Sequence, residues 1–531
     1  MAASKTFAFV FPAASGHLNP SLAIARCLVE SSHSVHYLSV DAMRAAIEGT
    51  GAEYHALEEY SKELMAKPEL GVVGNLMNLC KEAGLEPSAR SFELLKSVML
   101  EKKLPGVLRF LKSLAADALV YCPLINIEAG LAAKVFGIPS VSLNTCAGPG
   151  ALTTMFHALR ETLQEDTEEF IERANTFEPE LAANRRLNAE FGICLQPGVE
   201  LPIGKSSTFG HATLNLVTTS SDLMDPMTPE LERAYAAEGV GFVGVGPLLD
   251  REGVKRAAGH RLNASAGETQ PAHAVAESGD AVLTKVRGAH ADGRSVVLVS
   301  MGTVITGDFP GMGWEGRKLG ADGRPRGLTG RELCQAVWGG AFDAFGAGTE
   351  SEGPLLVVAL GPQDRPLGDI VAPPNALCAP ALPQVDLLRA GVDLFLTHGG
   401  QNSFTESLLH GTPVVVCPGA GDQIVNASKA VALGVGLKVD RPDPQAGGEE
   451  EAAAAYRAEV CRTLREVSGQ PAFVEAARAC SERLQLAGGV PRAVELILAV
   501  SDGVVDKRRL GKDGTAASTQ RSCCPAPVAG A

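Results

Sequence analysis

Two short apolar segments in the second half of the chain flank a helical pattern. They span residues 393–397 and 413–417 and are rich in β-branched and aromatic residues bounded by turn residues, as in buried parallel strands. Between them, residues 401–410 are helix formers followed by Gly411, where a glycine commonly ends a helix. The pattern therefore predicts a strand, a glycine turn, a helix and a second strand.

The turn in this unit has the composition of a phosphate site. His398 and the glycines at 399–400 follow the first strand, and ligands of open α/β sheets lie at that end of the strands. Glycines let backbone approach a ligand closely. The helix that opens at Asn402 and Ser403 presents unpaired N–H groups to an anion, and His398 adds a donor. Glu406, one turn further on, is placed to accept hydrogen bonds from ribose hydroxyls.

A second helical pattern begins at Asp422 and Gln423 and ends at Gly434. Its start belongs to the same end of the sheet, within reach of a sugar beyond a diphosphate. An alternative is that the glycines form only a tight turn and that Asp422 is only an N-cap. We favour the ligand site because all these residues occur together in this order.

The start of the chain shows the same alternation. Residues 7–11 predict a strand, and Asn19 and Pro20 predict the N-cap and first residue of a helix. Residues 34–40 predict the next strand, although the glycines do not match the dinucleotide fingerprint. His17 lies in the turn, where a helix N-terminus favours neutral imidazole and hence a proton acceptor. The alternative is a loop histidine with no task.

The remaining pattern continues this α/β alternation. Residues 53–115 predict mostly helices, and residues 306–330 predict an inserted flexible loop rich in glycine. Thr303 follows a buried strand in a turn whose N–H and hydroxyl groups suit a phosphate. Further strands are predicted at 118–121, 139–143, 214–218, 240–245, 295–300, 354–360 and 436–439, and further helices at 127–136, 332–345, 449–467, 471–486 and 491–500.

The segment 381–423 resembles the donor-binding signature of UDP-dependent glycosyltransferases of the plant secondary-product and macrolide type. The matching residues are Pro383, Gln384, Thr397, His398, Gly400, Asn402, Ser403, Glu406, Asp422 and Gln423. The resemblance implies a GT-B fold, in which two Rossmann-like α/β domains face each other across a cleft. It also implies that His398, Asn402 and Ser403 hold phosphates, that Glu406 holds the ribose, and that Asp422 and Gln423 hold the sugar.

The resemblance extends to the N-terminal half, where Gly16, His17 and Pro20 match the Gly-His-x-x-Pro pattern that carries the family's catalytic base. It implies the following domains: 1–248 for the acceptor, 249–290 as a linker, 291–470 for the nucleotide sugar, 471–501 as helices packing back on the first domain, and 502–531 as a disordered tail.

Three positions depart from the family pattern. Ala381 and Gln401 stand where the plant enzymes have tryptophan, and loss of the platform at 381 removes about 1–3 kcal/mol of stacking on a base. Cys122 stands where the family has the aspartate that orients the catalytic histidine. Loss of such an acid costs orders of magnitude in rate. Three alternatives follow: a substitute acid such as Glu128, an unusually acidic acceptor hydroxyl, or a protein that has lost activity.

Bulk composition narrows the class of protein. A chain of 531 residues is too long to fold around one hydrophobic core and suggests two or more domains. A formal charge of −14 argues against a surface that binds nucleic acid. No apolar run reaches the ~18–20 residues of a spanning helix, and no signal segment is evident. The twelve cysteines show no zinc spacing, which favours a reduced, cytoplasmic protein.

The resemblance implies an inverting glycosyltransferase that moves a sugar, glucose in the simplest case, from UDP to a hydroxyl of a small lipophilic acceptor. The expectation includes a monomer that uses no metal and no cofactor and has no membrane span. Two alternatives remain: a non-catalytic nucleotide-sugar or metabolite binder, and a nucleotide-sugar epimerase of the same fold.

Overall fold

The computed structural model describes residues 4–254, 256, 273–308, 311–319 and 324–504. Its first half contains a seven-stranded parallel sheet with strand order β3-β2-β1-β4-β5-β6-β7. The strands are β1 Thr6–Val10, β2 Ser34–Ser39, β3 Glu53–Ala56, β4 Ala118–Tyr121, β5 Ser140–Asn144, β6 Leu214–Val217 and β7 Phe242–Gly244.

Helices cover both faces of this sheet. They are α1 Ser15–Glu30, α2 Arg44–Glu48, α3 Leu57–Tyr60, α4 Gly71–Glu82, α5 Ala89–Glu93, α6 Lys96–Ser113, α7 Ile127–Phe136, α8 Gly150–Leu163, α9 Thr167–Thr176, α10 Glu178–Phe191, α11 Thr208–His211 and α12 Pro229–Glu238. Both faces of the central strands are therefore buried, which explains why β4 is apolar at every position and fully buried.

The second half repeats this architecture around a six-stranded parallel sheet with order β12-β11-β8-β13-β14-β15. Its strands are β8 Val296–Ser300, β11 Leu355–Ala359, β12 Ala376–Ala379, β13 Leu394–Thr397, β14 Val414–Val416 and β15 Gly436–Lys438, while β9 Lys318–Leu319 and β10 Pro325–Arg326 form a separate antiparallel pair. The helices are α13 His273–Ala291, α14 Gly302–Ile305, α15 Gly330–Phe345, α16 Gln384–Ala390, α17 Gln401–Leu409, α18 Asp422–Ala432, α19 Glu449–Ser468, α20 Pro471–Leu486 and α21 Gly489–Ser501.

The predicted two-sheet α/β architecture is confirmed, and most predicted strands agree with the structure to within two residues. One prediction about the first helix is wrong. α1 begins at Ser15, with Ala14 as its N-cap residue, so Pro20 lies inside the helix rather than at its start. A proline there can be accommodated because it removes only one helical hydrogen bond, that to the carbonyl of Gly16.

Two further predictions are corrected by buried side chains. Residues 53–56 form edge strand β3 rather than helix, paired in parallel with β2. The expected linker 249–290 contains much of α13, whose Val282, Leu283 and Val286 are buried in the core of the second domain. Residues 255 and 257–272 of that linker lie outside the described residues.

The two C-terminal helices divide between the domains, whereas the sequence predicted that both return to the first. On α20, Ala477, Cys480 and Leu484 join the core of the second domain. On α21, Ile497 and Val500 join the core of the first. The segment Pro471–Ser501 is long and apolar enough to cross a membrane by length and composition alone. Its buried apolar side chains belong to these two cores.

The glycine-rich segment 306–330 is more ordered than predicted where the structure describes it. Trp314 is buried beside Trp338, with ring centroids 6.1 Å apart. Arg317 joins the segment to Glu332 and Glu449 at 3.1 and 3.2 Å. Of the predicted disordered tail 502–531, residues 502–504 continue from α21, with the Val504 N–H donating to the Ala499 carbonyl oxygen at 3.0 Å. Residues 505–531 lie outside the described residues.

Candidate functional site

A cleft of about 2830 Å³ lies between the carboxyl ends of the two sheets. Drug-sized ligands occupy pockets of about 300–1,000 Å³, so this cleft has room for two ligands side by side. Twelve of the thirteen predicted site residues line it: His17, Thr303, Ala381, Gln384, His398, Gly400, Gln401, Asn402, Ser403, Glu406, Asp422 and Gln423. The thirteenth, Cys122, is fully buried behind His17.

His398 is fixed by packing against two glycines. It follows β13, and a Cβ added to Gly302 or Gly400 would lie 2.3 or 2.5 Å from its ring. Gly302 also has a positive φ of 69°, a conformation that glycine adopts without steric cost. Burial lowers the pKa of His398 to about 4. The ring is therefore neutral at pH 7 and keeps one N–H for a ligand.

The N-terminus of α17 is partly capped by Asp422. The Asp422 Oδ2 atom accepts a hydrogen bond from the backbone N–H of Gln401 at 2.9 Å. Burial raises the pKa of Asp422 to about 6, while backbone N–H groups of residues 401, 422 and 423 oppose that rise. The alternative that Asp422 is only the N-cap of its own helix is not confirmed, because Gly421 is the N-cap residue of α18. Asp422 instead caps the neighbouring helix α17, and it lines the cleft.

Glu406 is the centre of a polar cluster on the cleft wall. Its side chain is 2% exposed. Gln384 Nε2 donates to its Oε2 at 2.7 Å and to Ser403 Oγ at 3.1 Å. Arg256 Nη2 lies 2.8 Å from the other carboxylate oxygen. Sequence reasoning missed Arg256, since it lies in a segment with no clear periodicity.

The other predicted site residues of the second domain have different surroundings. Gln423 Oε1 accepts from the backbone N–H of Gly419 at 2.8 Å and so holds the loop before α18. Gln401 is buried, and its Oε1 lacks a hydrogen-bond partner within the described part of the chain. Ala381 lies just after β12 and contributes no aromatic surface to the cleft.

His17 lies in the first turn of α1, at the carboxyl end of β1. Its Nδ1 atom is 2.9 Å from Thr145 Oγ1 and 3.3 Å from Cys122 Sγ. Cys122 follows β4 and Thr145 follows β5, so three neighbouring strands bring the group together. Burial lowers the pKa of His17 to about 4, and the imidazole is neutral at pH 7.

Thr145 is the residue at this site that sequence reasoning missed. Its hydroxyl is the nearest polar partner of the His17 ring, and its place just after a buried strand is the signal that could have found it. Glu128 does not take this place, because its carboxylate binds Lys103 Nζ and Asn126 Nδ2, both at 2.8 Å. Asp117 accepts from the Thr6 N–H at the far end of the strands.

Cys122 is a neutral thiol at pH 7. Burial raises its pKa to about 11, although backbone N–H groups of Leu124, Ile125 and Asn126 oppose the rise. A neutral thiol beside Nδ1 cannot balance the charge of an imidazolium as a carboxylate does. Nearby backbone N–H groups and the Lys103 cation lower the pKa of the Cys122 thiol, and the same groups would favour a carboxylate at this position.

The two turns meet across the cleft. Asn402 Nδ2 donates to the Gly16 carbonyl oxygen at 2.7 Å. This is the carbonyl that Pro20, which has no N–H, leaves without a helical partner. Ser15 Oγ and Thr303 Oγ1 lie 3.4 Å apart beside this contact. The base-like histidine and the anion-attracting helix are therefore held close together by hydrogen bonds between the domains.

The N-terminal wall of the cleft is largely apolar beyond His17. The residues that share this character are Leu70, Val72, Val73, Leu100, Leu124, Leu152, Met155, Phe156, Leu159, Phe170 and Leu195. They come from the helices and loops that connect the strands. Such a wall suits a lipophilic molecule positioned by a few polar groups.

Parts of this chain match known proteins in sequence. Residues 370–447, which contain most of the donor side, match the UDP-glucoronosyl and UDP-glucosyl transferase family. The chain is 35% identical over 132 residues to the uncharacterized UDP-glucosyltransferase YojK of Bacillus subtilis, a match that covers 25% of this chain and 29% of that protein. It is 33% identical over 146 residues to the oleandomycin glycosyltransferase of Streptomyces antibioticus, covering 27% and 30%. The chain thus spans about three tenths of the length of these relatives.

Structural similarity extends over both domains. The crystal structure of the glycotransferase of kitacinnamycin superposes with a TM-score of 0.59 over 94% of this chain and 100% of that one, at 22% identity. The resemblance found in the sequence is therefore confirmed: this chain has the GT-B fold of nucleotide-sugar glycosyltransferases, and its second domain carries a segment of the UDP-glucoronosyl and UDP-glucosyl transferase family.

Proposed function

We propose that this protein is an inverting glycosyltransferase that transfers a sugar from a UDP-sugar to a hydroxyl group of a small lipophilic acceptor. The observation that carries the proposal is the meeting of the two turns. His17 and the N-terminus of α17 face one cleft and are joined by the hydrogen bond between Asn402 and Gly16. A proton acceptor and an anion site so arranged suit displacement of a diphosphate by an alcohol.

On the donor side, the diphosphate binds at the start of α17. The helix dipole and the N–H groups of the first turn favour negative charge, and His398 and Thr303 add donors beside it. Because these groups are fixed before the reaction, they stabilise the charge that develops on the leaving diphosphate. This arrangement leads us to propose transfer without a metal, tested by an initial rate that added Mg²⁺ leaves unchanged.

The ribose binds at Glu406. Arg256 and Gln384 now occupy the two oxygens of its carboxylate, so binding exchanges at least one of these contacts for a ribose hydroxyl. Asp422 and Gln423 receive the hydroxyls of the sugar from the other side. The partial sequence identity with the UDP-glucosyltransferase YojK is the support for UDP and for glucose.

His17 deprotonates the acceptor in the transfer step. With Nδ1–H donated to Thr145 Oγ1, the lone pair of Nε2 accepts the proton of the acceptor hydroxyl. The acceptor oxygen forms its bond to the anomeric carbon while the bond from that carbon to the diphosphate breaks, and UDP leaves with the electron pair. One displacement at the anomeric carbon inverts its configuration.

Thr145 is a positioning residue in this scheme. Its hydroxyl holds the tautomer of His17, a task for which the thiol of Cys122 is a poor acceptor. A hydroxyl cannot balance the charge of the imidazolium. We therefore expect a slower transfer than a carboxylate would support, and the best rates with acidic hydroxyls such as phenols.

An acceptor screen tests the proposal. The full chain is incubated with UDP-glucose and a panel of phenols and aliphatic alcohols, and UDP and glycoside are both quantified. The proposal predicts glycoside in a one-to-one ratio with UDP, with inverted anomeric configuration. UDP release without glycoside from any acceptor would contradict it. A product formed from UDP-glucose alone, without UDP release, would indicate the epimerase instead.

A second candidate is a nucleotide-sugar binder without turnover. The observation that favours it is the neutral thiol behind His17, together with a Glu128 already paired with Lys103. Isothermal titration with UDP-glucose separates the two. Binding to wild type with no turnover, and no gain of turnover in Cys122→Asp, would favour the binder.

A further inference from the structure

Two histidines and a glutamate converge on the edge of the first sheet, away from the cleft. His36 lies on β2, and Glu53 and His55 lie on edge strand β3. In the parallel register His36 pairs with Glu53, and His55 is two residues further along the same strand. Because side chains alternate along a strand, all three project from one face. None of the three lines the cleft between the domains.

The spacing of their ligand atoms matches a small tetrahedral ion. His36 Nδ1 is 3.0 Å from His55 Nε2. Glu53 Oε2 lies 3.5 Å from His36 Nδ1, and Glu53 Oε1 lies 3.4 Å from His55 Nε2. Ligands about 2.0–2.1 Å from a tetrahedral Zn²⁺ are separated from one another by about 3.3–3.4 Å. An ion therefore fits if the two rings separate by a few tenths of an ångström and one oxygen of the exposed Glu53 carboxylate turns toward it.

The remaining ring nitrogens of both histidines already have outer partners. Ser34 Oγ is 2.9 Å from His36 Nε2, and Tyr60 Oη is 3.3 Å from His55 Nδ1. The His55 ring also packs edge-on against Phe110, with centroids 5.3 Å apart. Metal-binding histidines almost always have such a second hydrogen bond, which fixes the ring and its tautomer.

Exposure allows an ion to enter from one side. The side chains of His36 and His55 are 13% and 15% exposed, whereas that of Glu53 is 63% exposed. The two imidazoles are thus largely buried and fixed in place, whereas the carboxylate is free to move and serves as the third ligand. A fourth position is left for water on the solvent side.

We propose that His36, Glu53 and His55 form a binding site for a divalent transition-metal ion, with Zn²⁺ as the best fit. Two imidazoles and one carboxylate suit Zn²⁺, Co²⁺ or Ni²⁺, whereas Mg²⁺ and Ca²⁺ prefer oxygen ligands. The ion ties edge strand β3 to β2 and stabilises the folded domain. This site is separate from sugar transfer and does not depend on it.

Metal titration of the untagged full chain tests the site. Protein treated with a chelator is titrated with Co²⁺, whose visible spectrum reports four-coordinate geometry, and the ion is then displaced with Zn²⁺. We expect one ion per chain and a higher thermal midpoint with Zn²⁺. His36→Gln and His55→Gln should each weaken binding by more than the 10–100-fold that loss of an outer partner costs.

His157→Gln serves as the matched control, since His157 is an exposed histidine on α8 of the same domain. It should bind Co²⁺ as wild type does. Glu53→Gln keeps both imidazoles and changes an exposed side chain, so it reports on the site even if a histidine variant fails to fold. The proposal is overturned if wild type binds Co²⁺ no more tightly than Glu53→Gln and the folded histidine variants, or if His157→Gln loses binding to the same extent.

Discussion

The two domains present the same local unit to the cleft, a parallel strand followed by a turn and a helix, and each unit carries a histidine. His17 follows β1 and His398 follows β13, and burial lowers the pKa of both to about 4. Their surroundings differ. The His398 ring is packed between Gly302 and Gly400, whereas the His17 ring is held through Nδ1 by Thr145 and Cys122. The packing of the His398 ring suits a fixed N–H donor. The polar partner on Nδ1 of His17 suits a ring whose other nitrogen, Nε2, acts as a base.

Replacing each histidine by glutamine should give the largest difference between the two roles, proton acceptor for His17 and phosphate donor for His398. His17→Gln should lower kcat by about 10²–10⁴-fold, the usual contribution of a general base, and leave the Kd of UDP unchanged. His398→Gln should instead weaken UDP binding. Steady-state kinetics and isothermal titration on both variants check this. Equal effects of the two changes on kcat and on Kd would show that His17 and His398 do not have separate roles in catalysis and in UDP binding.

The packing of His398 can be broken from the other side of its ring. Gly302→Ala should reduce UDP affinity by more than about 10-fold, because the new Cβ would lie 2.3 Å from the ring. Gly293→Ala is the matched control, since Gly293 has nearly the same φ, 72° against 69°, with nothing within 4 Å of an added Cβ. Both variants share the backbone strain, so equal UDP affinities in titration would remove the assigned role of His398.

The pH profile distinguishes the carboxylate on the donor side from the base. Asp422 must be ionised to accept sugar hydroxyls, and its pKa is raised to about 6 by burial. Below that pH it gains a proton, so kcat/KM for UDP-glucose should fall as pH decreases through about 6. In Asp422→Asn this decline should disappear, leaving a lower rate whose own decline lies near pH 4, where His17 gains a proton. An unchanged decline near pH 6 would assign it to another group.

The smallest expected effects concern the partners of His17. Thr145→Val should lower kcat by about 10-fold and Thr145→Ser should restore it, because only a hydroxyl holds the Nδ1 tautomer. Cys122→Asp should raise kcat, since a carboxylate beside Nδ1 balances the charge of the imidazolium as a neutral thiol cannot. The measurement is kcat with a phenol and with an aliphatic alcohol. No loss in Thr145→Val would remove its positioning role.

The donor turn could be predicted from sequence because its determinants are local. The strand, the glycines and the helix that ends before Gly411 lie within one short segment, and the end of a parallel strand next to a helix N-terminus defines an anion site by itself. The same holds for most strands, since continuous apolar runs between turn residues have few other solutions.

The base turn could be predicted only in part because its determinants are distant in sequence. Thr145 and Cys122 reach His17 over 128 and 105 residues, through the order of strands β1, β4 and β5. Arg256 reaches Glu406 from a segment without periodicity. The predicted start of α1 is wrong because a proline is expected at the first helical position, where its missing N–H costs no hydrogen bond. Here Pro20 lies inside the helix, and the Gly16 carbonyl accepts instead from Asn402, in the other domain.

The central claim is that a diphosphate binds at the N-terminus of α17, opposite His17. A crystal structure of the full chain with UDP tests it most directly. The account predicts phosphate oxygens within hydrogen-bond distance of the first-turn N–H groups of α17 and of the His398 ring, with the ribose at Glu406. UDP bound elsewhere, or this end of the cleft left without nucleotide at saturating UDP, would contradict it.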